Sequence, residues 1–98
     1  MPLRIVQANA VYDPAAKSAD ALLDAYRTLT EWSTAVVNAG AEVVVAQRFH
    51  TAIQVERDGV TYEFTKDSQA PWLSTRAAPA EFVSAIARHA PDVVHVNG

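Results

Sequence analysis

Between Glu42 and Gln47 the chain runs Glu-Val-Val-Val-Ala-Gln, with apolar side chains on both sides of the pleat. A strand that faces water on one side alternates in polarity, whereas a strand covered on both sides does not. This segment therefore asks for a sheet with a layer on each face. Strands of that covered type are typically parallel, and parallel strands need long crossover connections.

The surrounding sequence supplies the crossovers. Leu3 to Asn9 is a short, largely apolar opening strand, with Pro2 tolerated at its start. Ala10 to Ala16 reads as a loop with an Asp13-Pro14 turn, and Ser18 or Asp20 can cap the helix that follows. The periodicity predicts one helix over Ala19 to Asn38, its stripe formed by Leu22, Tyr26, Leu29, Ser33, Val36 and Val37. Trp32 lies beside that stripe and is assigned to packing, and Gly40 ends the helix. After the strand at 42–47, Asp58-Gly59 is a two-residue hairpin turn. It pairs Val55 with Tyr62 and Ile53 with Phe64, and sets Gln54 opposite Glu63 on the other face.

Lys66 to Ala78 is the least patterned stretch. Pro79 suits a first helical position and Glu81 the first turn of a helix carrying Phe82, Val83, Ile86 and Ala90, which runs to about His89. Pro91-Asp92 stops it, and Val93 to Val96 reads as a last buried-type strand. The expected fold class is α/β: a partial Rossmann-like open parallel sheet of order 3-2-1-4, with the hairpin at one edge and helices on the faces.

Composition excludes several function classes. The 98 residues are one domain's worth. Eight Lys and Arg against 11 Asp and Glu leave a net charge of −3 and no basic stripe for phosphate backbones, which argues against nucleic acid. With no cysteine there is no disulfide, thiolate metal site or cysteine nucleophile. No run approaches the ~20 apolar residues of a membrane span, and the start lacks a signal-peptide pattern, so a cytoplasmic location is expected. The loop after the first strand contains no glycine, which speaks against a dinucleotide fingerprint and a Walker loop alike. His50, His89 and His95 lack ligand spacing, and Asp13 stands alone, so neither a metal nor another cofactor is expected.

Four pieces combine into a resemblance. They are Arg4-Ile5-Val6 through Asn9 with Tyr12-Asp13-Pro14, a long helix running into Asn38-Ala39-Gly40-Ala41-Glu42-Val43, the Asp58-Gly59-Val60 turn, and Pro91-Asp92-Val93-Val94-His95-Val96-Asn97-Gly98. In this order they resemble the amino-terminal domain of glycosyltransferase family 4, nucleotide-sugar-dependent enzymes of the GT-B fold, over the whole chain. Two positions depart from the family pattern. Its Gly-Gly pair falls on Lys17-Ser18, with the following acid at Asp20, and the second histidine of its "HVH" falls on Asn97. Asn97 can hydrogen-bond a hydroxyl but cannot act as an acid or base.

The resemblance implies a retaining sugar transfer to a hydroxyl acceptor without a metal. This chain would be the truncated acceptor-side part, inactive without a donor domain. His95 is the candidate catalytic residue, with a core or edge histidine as the plain alternative. Asn9, Tyr12, Asp13, Trp72 and Asn97 are candidates for the acceptor cleft, and Lys17 and Ser18 for the neighbourhood of the donor phosphates. Trp72 could equally plug the sheet edge, and Lys17 could be a solvated lysine. Arg76, in the same loop as Trp72, is suited to gripping an acceptor. The last strand, with Val93, Val94 and Val96, would form an unprotected edge, so the isolated chain is expected to pair as a homodimer through it. A different class stays open: a complete, non-catalytic Rossmann-like or flavodoxin-like interaction module.

Overall fold

The doubly apolar run sits where its composition requires. It belongs to strand β2 (Glu42–Phe49), the central strand of a five-stranded sheet, and every residue of it after Glu42 is buried. The computed structural model describes residues 2–13, 15–66 and 80–97. Around β2 stand β1 (Arg4–Asn9), β3 (Ile53–Arg57), β4 (Val60–Lys66) and β5 (Val93–Asn97), with helices α1 (Ala19–Ala25), α2 (Arg27–Asn38) and α3 (Ala80–Arg88). Successive residues of a strand point to opposite faces, so β2 divides the core in two. Val43 and Val45 join Leu22, Leu29, Tyr62 and Phe64 beneath α1 and α2. Val44 and Ala46 join Val6, Ala8 and Phe82 beneath α3.

The strands lie in the order β3-β4-β2-β1-β5. β1 runs parallel to β2 and to β5, β2 runs parallel to β4, and β3 and β4 are antiparallel. The sheet is therefore mixed and five-stranded, which corrects the expected parallel order 3-2-1-4. That order counted the hairpin as one edge unit. Both arms are full strands, and the second arm takes the inner place against β2. Burial explains the choice: Val60, Tyr62 and Phe64 on β4 are inaccessible, while Ile53 on β3 is 46% exposed. Within the hairpin the register is the one read from the turn, with Ile53 opposite Phe64, Gln54 opposite Glu63 and Val55 opposite Tyr62. Asp58 and Gly59 both take positive φ, 54° and 80°, as a type I′ turn demands. A Cβ at Gly59 would also come within 3.1 Å of Val37 Cγ1, so the turn packs where only glycine fits easily.

Two further expectations need correction. The single helix over Ala19 to Asn38 is two helices that meet at Tyr26, whose φ of −99° and ψ of 63° leave the helical region. The Tyr26 N–H still donates to Leu22 O, and its carbonyl still accepts from Thr30 N, so the break interrupts the axis while the backbone stays bonded. At the break the Tyr26 hydroxyl reaches out to Asp13, 2.7 Å away. β5, in turn, is no buried strand. Val93 and Val94 are each 44% exposed and Val96 68%, because α3 packs on β2 and β4 and leaves the β5 edge bare.

Candidate functional site

β1 carries Gln7 where β2 carries Val45. On the face under α1 and α2, Gln7 pairs in register with Val45 on one side and His95 on the other, and Asn9 with Gln47 and Asn97. Along the row Val45, Gln7, His95 that face therefore turns from apolar to polar, and in the next row Gln47 carries the polar patch onto the end of β2. Between this polar half and α2 lies an open groove of about 510 Å³, whose lining includes Gln7, Asn9, Tyr26, Trp32, His95 and Asn97. It opens at the carboxyl ends of two neighbouring parallel strands, where open α/β sheets place ligands.

The side chains in it are held from several directions. Trp32 stacks on His95, ring centroids 5.4 Å apart and planes 23° from parallel. His95 Nδ1 is 2.5 Å from Gln7 Oε1. Asn9 Nδ2 donates to Gln47 Oε1, and Gln47 Nε2 donates to the carbonyls of Val11 and Arg48, each at 2.9 Å. The guanidinium of the buried Arg48 donates to Ala10 O at 3.1 Å. Ala10 N donates to Asn97 O, also at 3.1 Å, so the segment leaving β1 is tied to both neighbouring strands.

Asp13 anchors the next turn of the loop. Its Oδ1 accepts from Ala15 N at 2.9 Å and its Oδ2 from the Tyr26 hydroxyl. These two bonds, the tyrosine's foremost, hold the Asp13 carboxyl below its ordinary value of 3.8. Burial, reinforced by the same carboxylate, pushes Tyr26 up to about 12.

The structure thus brings together three residues singled out from sequence, Asn9, His95 and Asn97, and places Asp13 one hydrogen bond behind them through Tyr26. Tyr12 is half-buried and outside the groove lining. Lys17 and Ser18 also lie outside it: Lys17 is exposed, and Ser18 Oγ accepts from Ala21 N at 3.1 Å as the cap of α1. Trp72 and Arg76 lie outside the described residues. Sequence reasoning missed Gln7, Trp32 and Tyr26 as groove residues. A signal for Gln7 was present, since Gln7 and Asn9 alternate on one strand just as His95 and Asn97 alternate on another. Trp32 gave none: its offset of three from Leu29 is what a packing residue also shows.

The arrangement offers hydrogen-bond donors and acceptors without fixed charge in the floor of the groove. Arg27 at the rim is highly exposed and paired loosely with Glu31 at 3.6 Å. Among the described residues no cluster of His, Cys, Asp and Glu could hold a metal ion, and no helix is long and apolar enough to cross a membrane. A separate polar cluster ties α3 to the sheet. There Glu63 accepts from both Arg88 and His89, and burial, with Arg88 and Arg4 nearby, pushes the His89 pKa down. Comparison with protein families, with curated proteins and with solved structures finds no match to this chain.

Proposed function

We propose that the groove between α2 and the ends of β1 and β5 receives a hydroxylated acceptor. In this reading the chain is the acceptor-side domain of a retaining, nucleotide-sugar-dependent glycosyltransferase, the kind of enzyme its sequence resembles. One observation carries the proposal: Gln7 with His95, and Asn9 with Asn97, stand side by side on adjacent parallel strands beneath the Trp32–His95 stack. Side-chain amides donate and accept, which matches sugar hydroxyls, while an aromatic face suits the apolar side of a sugar ring. The groove is within the size range of small-ligand sites. Transfer would need a second, donor-holding domain, so this chain alone would bind acceptor without turnover. By the resemblance Lys17 and Ser18 would lie toward the donor phosphates, the Ser18 hydroxyl being already engaged as a cap.

The test is a titration of the ¹⁵N-labelled chain with neutral mono- and disaccharides. Saturable shifts centred on Gln7, Asn9, Trp32, His95 and Asn97 are expected for at least one sugar. Shifts spread evenly over the surface, or absent throughout the panel, would overturn the assignment.

The exposed valines of β5 favour a second property, pairing of the isolated chain as a two-fold homodimer, edge to edge. This partner surface also suits the alternative of a non-catalytic interaction module. Sedimentation should show a concentration-dependent dimer that Val96→Lys abolishes. A monomer at all concentrations would remove the edge-pairing proposal while leaving the groove untouched.

A further inference from the structure

We infer that Gln7 and Trp32 are positioning residues for His95, fixing its imidazole in the Nδ1–H tautomer so that Nε2 offers its lone pair to an acceptor hydroxyl. This deepens the acceptor-site reading and rests on it for its purpose, though not for its geometry.

A side-chain carbonyl can accept a hydrogen bond but cannot donate one. Gln7 Oε1 lies 2.5 Å from His95 Nδ1 and has only lone pairs to present, so the hydrogen between them must reside on Nδ1. A neutral imidazole carries one N–H, and assigning it to Nδ1 leaves Nε2 as the acceptor. Nε2 sits on the far edge of the ring from Gln7 and has no hydrogen-bond partner among the described residues. Gln7 itself is 3% exposed, inside the sheet between Val45 and His95, so its amide is confined by its neighbours. Trp32 supplies the other constraint. Its stacking sets the plane of the ring, while Gln7 sets the rotation within that plane.

Two contacts from two different elements therefore orient a side chain on an exposed edge strand that would otherwise rotate freely. A third group that fixes the tautomer of a histidine is the recurring support of histidines that work as acceptors or bases. In the bound state the acceptor's O–H would donate to Nε2, and a proton leaving that oxygen could move to the same nitrogen. The amides of Asn9 and Asn97 would then hold neighbouring hydroxyls.

The tautomer can be read without any ligand. In the ¹⁵N-labelled chain, at a pH where all three histidine rings are neutral, two-bond ¹H–¹⁵N correlations should give His95 a pyrrole-type Nδ1 and a pyridine-type Nε2. Gln7→Leu should move both nitrogens toward averaged values, and Gln7→Glu, which keeps an acceptor oxygen, should restore the wild-type pattern. A pyridine-type Nδ1 in the wild-type chain would overturn the inference, as would a Gln7→Leu spectrum identical to wild type. Should the Gln7 variants fail to fold, the wild-type pattern alone still decides the tautomer, and Trp32→Ala should broaden or average the same signals. For any sugar found to bind, Gln7→Leu should weaken affinity by up to about tenfold, the size of one oriented hydrogen bond. A correct tautomer with no sugar binding would sink the acceptor reading while leaving the geometry standing. A reversed tautomer with sugar binding would do the opposite.

Discussion

One face of one sheet does two different jobs on the two sides of β1. Over β2 and β4 the helical layer meets Val43, Val45, Val60, Tyr62 and Phe64, and the space is filled. Over β1 and β5 the same layer meets Gln7, Asn9, His95 and Asn97, and the space is a groove. The backbone is continuous and the parallel register unbroken from one half to the other. Only the side chains differ. Stability and recognition can thus be built side by side from the same strands, and substitutions in the two halves should report on different properties.

The largest effect should come from the filled half. Phe64 is 1% exposed and meets Phe49 edge to face, centroids 5.1 Å apart. Phe64→Ala removes most of that side chain from a site hemmed in by other core residues. It should lower unfolding free energy by about 3–5 kcal/mol in urea titrations. His95→Ala, in the other half, removes an exposed ring from an edge strand, and its stability cost should be under about 1 kcal/mol. The same change should eliminate sugar-dependent shifts. If His95→Ala destabilised the chain as much as Phe64→Ala, the division between core and site would be wrong.

The filled half was largely legible in the sequence, and the groove only partly. Three adjacent valines and the Asp58-Gly59 turn each encode their outcome locally, and the hairpin register followed from the turn alone. Which arm of the hairpin would lie inside was a tertiary matter, decided by competition for burial between Val60, Tyr62 and Phe64 on one arm and Ile53 and Val55 on the other. The break at Tyr26 was hidden because Leu22, Leu29 and Ser33 keep helical spacing across it. What breaks the axis there accompanies a bond to Asp13, 13 positions earlier, which no periodicity contains. In the groove, strand-end logic located Asn9, His95 and Asn97. Trp32 stayed out of sight because its partner, His95, is supplied by the far end of the chain.

The Tyr26–Asp13 bond gives an intermediate effect, and its dependence on pH sharpens the contrast at the groove's edge. Asp13 has a folded-state pKa below its ordinary 3.8. Its contribution is present above that value and is lost as pH falls through the lower, folded value. Tyr26 is shifted the other way, from 10 to about 12. Its contribution is complete below pH 10 and is lost as pH rises toward 12. Tyrosinate absorbance should therefore contain a late component near pH 12 whose amplitude Tyr26→Phe lowers. The same variant should lose about 1 kcal/mol or less at neutral pH, because the bond is partly open to solvent. An unchanged alkaline titration would show that the hydroxyl does not hold the loop.

The smallest effect, and one of opposite sign, belongs to the tyrosine of the filled half. Tyr62 is inaccessible, and its hydroxyl has no hydrogen-bond partner among the described residues. Ser33 lies beside it but donates its own hydrogen to Leu29 O at 2.8 Å, and no bond of good geometry joins the two hydroxyls. Burial accordingly pushes the Tyr62 pKa up, opposed first by the charge of Arg57 and less by Ser33. A buried hydroxyl without a partner has given up its bonds to water and gained nothing in exchange. Tyr62→Phe keeps the ring and removes the unsatisfied group, so it should leave stability unchanged or raise it by about 0.5–1 kcal/mol. Two tyrosine-to-phenylalanine changes on the same side of the sheet, one at the α1–α2 junction and one beneath it, should thus move the urea midpoint in opposite directions, down at Tyr26 and level or up at Tyr62. A loss at Tyr62 as large as that at Tyr26 would mean that Ser33 accepts from the phenol after all, and that the filled half holds a polar pair of its own.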